Sequence, residues 1–357
     1  MASPVNAAET KELRALVRSI VMSQGNLFIR ELLRKNDIRI GTNKAEFQRN
    51  LVDAIASGRL RLSQVREWLE EVEGWGDQHV YLYHVPPEIL RDPKWESPNN
   101  VRRGLPRDHQ ELWQAEKVLQ FPAKPTLTGI FYEENALRYV WHSAYETWQR
   151  APEKDYRDKL EADLYEFRAY RQRKDRTVRR FVLRRDLALA GIFLQTEWSQ
   201  KEHTDAMSDV IRTVTPIVAF DKLRPVSMSV VIKRLDQMEQ ASLMPDTNVM
   251  AQKTRLADAG AYVEFASTSE LGYMQSEEVR RVRNSVRADT AMIGANGTFI
   301  YVAKTPTGLD RPVKFDVFGE QRRVKLRSQL TASEVWTLLS HLKRAETWTK
   351  STKSESK

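Results

Sequence analysis

Apolar positions recur every three or four residues from 9 to 73, the spacing of amphipathic helices. Leu13, Leu16, Val17, Ile20 and Val21 form one stripe, and Leu27, Phe28, Leu32 and Leu33 a second. Phe47, Leu51 and Ile55 make a third, followed by Gly58, where a helix end needs a residue tolerant of left-handed backbone. Leu62, Val65, Trp68, Leu69 and Val72 make a fourth. Four such helices can share one core, so 1–76 is expected to be a helical bundle closing at Gly74-Trp75-Gly76. From 86 to 125 the pattern breaks. Pro86, Pro87, Pro93, Pro98, Pro106, Pro122 and Pro125 punctuate a polar stretch in which only 111–119 keeps helical spacing, which predicts an irregular arm on the surface.

Beyond the arm the pattern turns to alternation. Stretches 126–132 and 137–148 flank Glu133-Glu134-Asn135 and predict a hairpin. Leu160, Leu164 and Phe167 predict a charged helix over 153–175, whereas 181–194 suits strand and helix equally. Short strands are expected at 217–220, 227–232 and 261–265. The Asn296-Gly297 pair predicts a tight turn between 290–293 and 298–304, and Gly319 one between 313–318 and 323–326. Thr331 and Glu334 have capping-box spacing ahead of Val335, Leu338, Leu339 and Leu342, which places a closing helix there. No internal repeat is present. The expected fold class is α+β: a helical bundle over 1–76, a central mixed domain over 77–245 that includes the arm, a β-rich domain over 246–345 closed by a helix, and a disordered tail over 346–357.

Composition narrows the chemistry. The 357 residues suffice for two or three domains, and 41% hydrophobic with 29% charged is a globular balance. The absence of cysteine excludes disulfides, zinc fingers, iron–sulfur clusters and thiol nucleophiles. No apolar run approaches the roughly 18 residues of a membrane span, and the N-terminal segment has no signal-peptide core, so no membrane partner and an intracellular location are expected. The six histidines show neither HExxH nor a helical i, i+4 pair, and His79 and His84 are expected to face opposite ways on one strand. Phosphate-cradling glycine motifs and the serine elbow are missing, so no cofactor, metal or catalytic residue is assigned.

Charge is the stronger signal. Lys and Arg number 57 against 48 Asp and Glu, a net charge of +9. Between 168 and 185 lie Arg168, Arg171, Arg173, Lys174, Arg176, Arg179, Arg180, Arg184 and Arg185 against one acid, Asp175. Cations held along one line release counterions together from a phosphate backbone, and this run is expected to face solvent. Smaller groups are Arg280, Arg281, Arg283 and Arg287, then Arg322, Arg323, Lys325 and Arg327. Most of the nine tryptophans occupy apolar positions of expected elements, with Trp95 in the arm the expected exposed exception.

Residues 27–57, LFIRELLRKNDIRIGTNKAEFQRNLVDAIAS, resemble the SAP motif, a helix–extended loop–helix element of DNA- and chromatin-binding proteins. The likeness runs through Leu32, Leu33, Ile38, Ile40, Lys44-Ala45-Glu46-Phe47 and Leu51, with Asn43 where the family has glycine and Asn50 where it has a basic residue. The resemblance implies phosphate contacts from Arg39, Lys44 and Arg49. Over 27–235, the order of a helical bundle, the hairpin GIFYEENALRYVWHSAYETW, an Arg-rich segment and FVLRRDLALAG is similar to that of centromere protein N, a chromatin reader.

The expected function is therefore non-catalytic, largely sequence-independent binding of nucleic acid, double-stranded DNA in preference to RNA, within a larger assembly that includes protein partners. The expected contacts are Arg39, Lys44, Arg49, Arg168, Arg171, Arg173, Lys174, Arg176, Arg179 and Arg180. One alternative is a metal-dependent nuclease built on strand carboxylates such as Asp221, Glu264 and Asp316 with Lys222. The other is a protein-interaction adaptor.

Overall fold

A computed structural model describes residues 13, 17, 26–61, 63–65, 67–68, 75, 78–114, 122–133, 135–160, 163–195, 199–241, 249–258, 261–267, 277–287, 292–301, 309, 311–327 and 330–347. Most of the first predicted helix, the tail beyond 347 and most of 111–119 lie outside them. Helices and a large antiparallel sheet make the protein α+β. The chain forms two compact units, one from 1–73, 114–129 and 140–179, the other from 74–113, 130–139 and 180–357.

The first unit contains α1 (Asn26–Lys35) and α2 (Lys44–Ala56), and both lie where the apolar spacing predicts them. Their stripes meet: Phe28, Ile29, Leu32, Leu33, Phe47, Leu51 and Ile55 are buried in one core with Leu13, Val17, Val65 and Trp68. The same unit holds half of β2 (Thr126–Glu133), most of β3 (Ala136–Arg150) and β6 (Tyr170–Arg184), and all of the hairpin β4 (Tyr156–Leu160) and β5 (Asp163–Phe167). Strand therefore replaces the helix predicted over 153–175. Leu160, Leu164 and Phe167 do have helical spacing, but Tyr156 and Phe167 pair across β4 and β5 with parallel rings 4.7 Å apart. Cross-strand aromatic pairing outweighs the local pattern there.

The second unit carries the larger core. Its strands run in the order β10 (Ala261–Ala266), β9 (Val249–Asp258), β11 (Ile293–Tyr301), β12 (Val313–Phe318), β13 (Arg323–Leu326), β1 (His79–His84) and β7 (Leu189–Leu194), then the parts of β6, β3 and β2 that belong to it. A two-residue strand, β8 (Arg224–Pro225), pairs beside β1. Helices α7 (Met228–Ala241) and α9 (Ala332–Thr347) pack on this sheet, where Val231, Ile232, Leu235, Val335, Leu339 and Leu342 meet Phe299, Phe315 and Val317. The Thr331 hydroxyl accepts from the Glu334 amide at 3.3 Å and the Glu334 carboxylate from the Thr331 amide at 2.8 Å, which is the capping box read from sequence. Between β10 and β11 in the chain lies α8 (Glu277–Arg287).

Three expectations fail here for one reason, that tertiary partners override local preference. Residues 217–220 and 227–232 are helical, within or beside α6 (Gln200–Val218) and α7. Val210, Val214 and Ile217 form the buried stripe of α6, whose start Ser199 and Glu202 cap. Asn296-Gly297 is not a turn. It lies inside β11, paired on both sides with β9 and β12, and Gly294 to Asn296 forms a bulge instead. The proline-rich arm is not irregular either: α3 (Pro87–Leu90), a 3₁₀ turn (Pro93–Glu96), α4 (Pro98–Gly104) and α5 (Arg107–Gln110) bury Ile89, Trp95, Val101 and Leu105. Prolines stand at the first helical positions, where a missing amide costs nothing. No described helix is long and apolar enough to cross a membrane.

Candidate nucleic-acid interface

The loop between α1 and α2 is built tightly. Ile38 turns inward and its amide bonds Leu33 O at 2.8 Å, leaving Arg39 and Ile40 outside. The Asn50 side chain donates to Arg39 O at 2.7 Å and ties the loop to α2. Gly41 is needed by space: a Cβ there would lie 2.4 Å from Glu46 Cβ. Asn43 caps α2 by accepting from the Glu46 amide at 3.0 Å, and the Glu46 carboxylate accepts from the Thr42 amide at 2.7 Å, which lowers its pKa. The two asparagines that depart from the SAP pattern thus hold the loop. Two amides near the helix start are already taken by side chains, so an anion here is left mainly to side-chain cations. Arg39 and Arg49 are exposed, and Lys44 is half-buried at the first position of α2.

The run 168–185 divides sharply. Arg168 and Arg171 are exposed, and Arg168 lies 3.3 Å from Glu166 in an exposed pair. Exposed pairs of this kind contribute little. Arg173 and Lys174 are on β6, and Arg179, further along it, is half-buried. Arg176 and Arg180 correct the expectation that the run faces solvent: they are 8% and 3% exposed. From 176 onward both faces of β6 are covered, so Thr177, Val178, Phe181 and Val182 are buried as well. Arg176 Nη2 lies 2.9 Å from His142 Nε2, His142 Nδ1 2.7 Å from the Thr128 hydroxyl, and that hydroxyl donates to Val140 O at 3.0 Å. This chain fixes the His142 tautomer, with Nε2 accepting and Nδ1 donating.

The last three arginines of the run are occupied inside the second unit. Arg180 lies over the Trp75 ring at 5.0 Å. Arg184 lies 5.6 Å from the Trp336 ring and donates twice to Asp186, lowering that carboxyl's pKa. Arg185 donates to the carbonyls of Leu90 and Trp95 at 3.1 Å and contacts the Tyr132 hydroxyl at the same distance. Trp95, expected outside, is 2% exposed, and its indole donates to Ile89 O at 2.6 Å. A cleft of about 140 Å³ beside these residues is walled by Trp75, Phe131, Arg138, Val182, Arg184 and Trp336.

Two of the three carboxylates considered for metal chemistry, Glu264 and Asp316, are committed to partners within the protein. Glu264 bridges Lys253 at 2.9 Å and Arg255 at 3.8 Å. Asp316 accepts from the Thr298 hydroxyl at 2.8 Å and from Arg327 at 2.5 Å. Among the described residues no three of His, Asp or Glu gather as metal ligands would. His79 and His84 diverge as expected: His84 meets Glu346, and His79 packs edge-on against His203, ring centroids 4.9 Å apart. Burial pushes the His79 pKa down to about 3, helped by Arg323, His203 and Lys325.

Sequence reasoning missed a group of solvent-facing aromatics in the first unit, Trp148, Tyr156, Tyr165 and Tyr170. Nothing local marks an exposed tryptophan from a buried one; the signal was their interleaving with Arg150, Arg157, Arg168 and Arg171. Comparison of the chain with known protein families and with curated proteins finds no match.

Proposed function

We propose that the protein binds nucleic acid along its phosphate backbone, largely without reading sequence, as a non-catalytic subunit of a larger intracellular assembly. Duplex DNA is the preferred partner. The observation that carries this reading is the set of exposed cations on the first unit, Arg39 and Arg49 around α2 with Arg168 just before β6 and Arg171 on it. The helix–extended loop–helix of α1 and α2 supports a SAP-like mode of docking, and Lys44 stands at its helix start. A binding role is favoured over a nuclease because Glu264 and Asp316 are held by cations of the protein itself. Exposed Tyr262, Val282 and Ile293 in the second unit support a protein partner there.

The test is fluorescence anisotropy with a labelled duplex over a salt series, comparing the full chain with Arg39→Glu/Arg49→Glu/Arg168→Glu/Arg171→Glu. All four side chains are exposed, so the fold is expected to survive. Each phosphate contact steepens log K against log salt by about 0.9, so the variant should bind more weakly with a slope flatter by about 3–4. A folded variant with unchanged affinity and slope rules the reading out.

A further inference from the structure

The exposed aromatics of the first unit have no task in backbone binding. Within 148–170, Trp148 is 67% exposed, Tyr156 58%, Leu164 64%, Tyr165 46% and Tyr170 53%. Their placement follows from the β3–β6 pairing. The Ala151 amide bonds Ala169 O at 3.0 Å, and the Ser143 and Thr177 hydroxyls meet at 2.6 Å. In an antiparallel ladder with that register, even-numbered residues of both strands share one face. Trp148 and Tyr170 therefore stand on the same side, together with Arg150, Glu146 and Gln172. The Arg150 guanidinium lies 5.4 Å from the Tyr170 ring centroid, and Gln172 donates to Glu146 at 2.5 Å. Tyr170 is held rather than loose: Asp155 grips Arg150 with both oxygens and accepts from the Ala169 amide at 2.9 Å. At the adjoining hairpin, Tyr156 is pre-stacked on Phe167.

Rings left in water suit an occupant that offers flat apolar faces. In a duplex the base faces are already stacked on each other, so a duplex would leave these rings hydrated. Exposed Arg168 and Arg171 flank Tyr170, which calls for a polyanion. A single nucleic-acid strand meets both demands, since every base has a π face and every link a phosphate. We propose that the β3–β6 ribbon and the β4–β5 hairpin form a stacking platform for unpaired bases, so that the preferred ligand is a duplex continuing into a single strand. This inference rests on the nucleic-acid reading above and names its substrate class.

The experiment compares a blunt duplex with the same duplex carrying an oligo-dT tail, using the full chain, Trp148→Ala/Tyr170→Ala and Trp148→Phe/Tyr170→Phe. The tail should raise wild-type affinity roughly tenfold or more, the usual order for stacked bases. The alanine pair should lose that gain while keeping its affinity for the blunt duplex, and the phenylalanine pair should retain most of it. Equal wild-type affinity for the two probes overturns the inference and leaves backbone binding intact. So does a gain that survives in the alanine pair. Binding to neither probe removes the nucleic-acid reading and this inference with it. Sedimentation of the protein with phosphatidylserine vesicles, lost in the alanine pair and unmatched by any tail effect, would assign the rings to a membrane surface and overturn it too.

Discussion

His79 gives the second unit a calculable acid sensitivity. Its ring is 4% exposed, neither nitrogen has a hydrogen-bond partner among the described residues, and Arg323 and Lys325 stand nearby. The folded protein therefore keeps it neutral down to about pH 3, whereas the unfolded chain protonates it near 6.5. Below 6.5 the unfolded state binds the proton and the folded state does not, so stability falls as pH falls through that window, by about 1.4 kcal/mol per pH unit. Between pH 7 and pH 5 the loss from this one group is about 2 kcal/mol, and its ceiling near pH 3 is about 4–5 kcal/mol. The perturbation is His79→Leu, which keeps much of the volume and removes the proton site. Urea unfolding followed by circular dichroism at both pH values gives the variant-minus-wild-type difference, in which other titrating groups cancel. That difference should grow in favour of the variant by about 2 kcal/mol on acidification. A difference that stays constant refutes the reasoning, because His79 would then titrate alike in both states.

Two further outcomes test the packing described above. Gly41→Ala should destabilise the α1–α2 segment by about 1–3 kcal/mol, because its Cβ would collide with Glu46 Cβ at 2.4 Å; hydrogen exchange of the α2 amides reads the loss, and unchanged protection argues against the tight loop. Trp95→Ala should lower stability by about 3–5 kcal/mol in a urea titration, as expected for a buried indole stacked beside Tyr132, and a near-neutral change would return the arm to the surface.

Local rules were enough for α1, α2, the β2–β3 hairpin and α9, where apolar spacing and the Thr331–Glu334 box agree with the tertiary contacts. They misled wherever both faces of an element are covered. In β6, Arg176, Val178, Arg180 and Val182 share one buried face while Thr177 and Phe181 are buried on the other, so no alternation marks the strand. The same effect hid which arginines are available. Arg39 and Arg49 could be read as exposed because α1 and α2 carry their own apolar stripes, whereas the burial of Arg180 depends on Trp75, more than 100 residues earlier in the chain. The exposed rings of Trp148 and Tyr170 were illegible for the converse reason: they alternate like core residues, but their face is left uncovered.

The placement of β1 sets a timetable for biosynthesis. One edge of this strand pairs with β7 along its whole length; the other is closed by β8 at Tyr83 and His84 and by β13 at its start, with Val80 opposite Val324 and His79 opposite Lys325. A ribosome adding about 5–20 residues per second needs roughly 12–50 s to travel from His84 to Arg323. For that time the first half of the strand, around His79 and Val80, presents an unpaired edge on a nascent chain even after β8 has covered Tyr83 and His84, the geometry that invites pairing with a neighbouring chain. High contact order of this kind slows folding and makes the yield of native protein depend on translation speed and on chaperones that cover the edge until the C-terminal strands emerge.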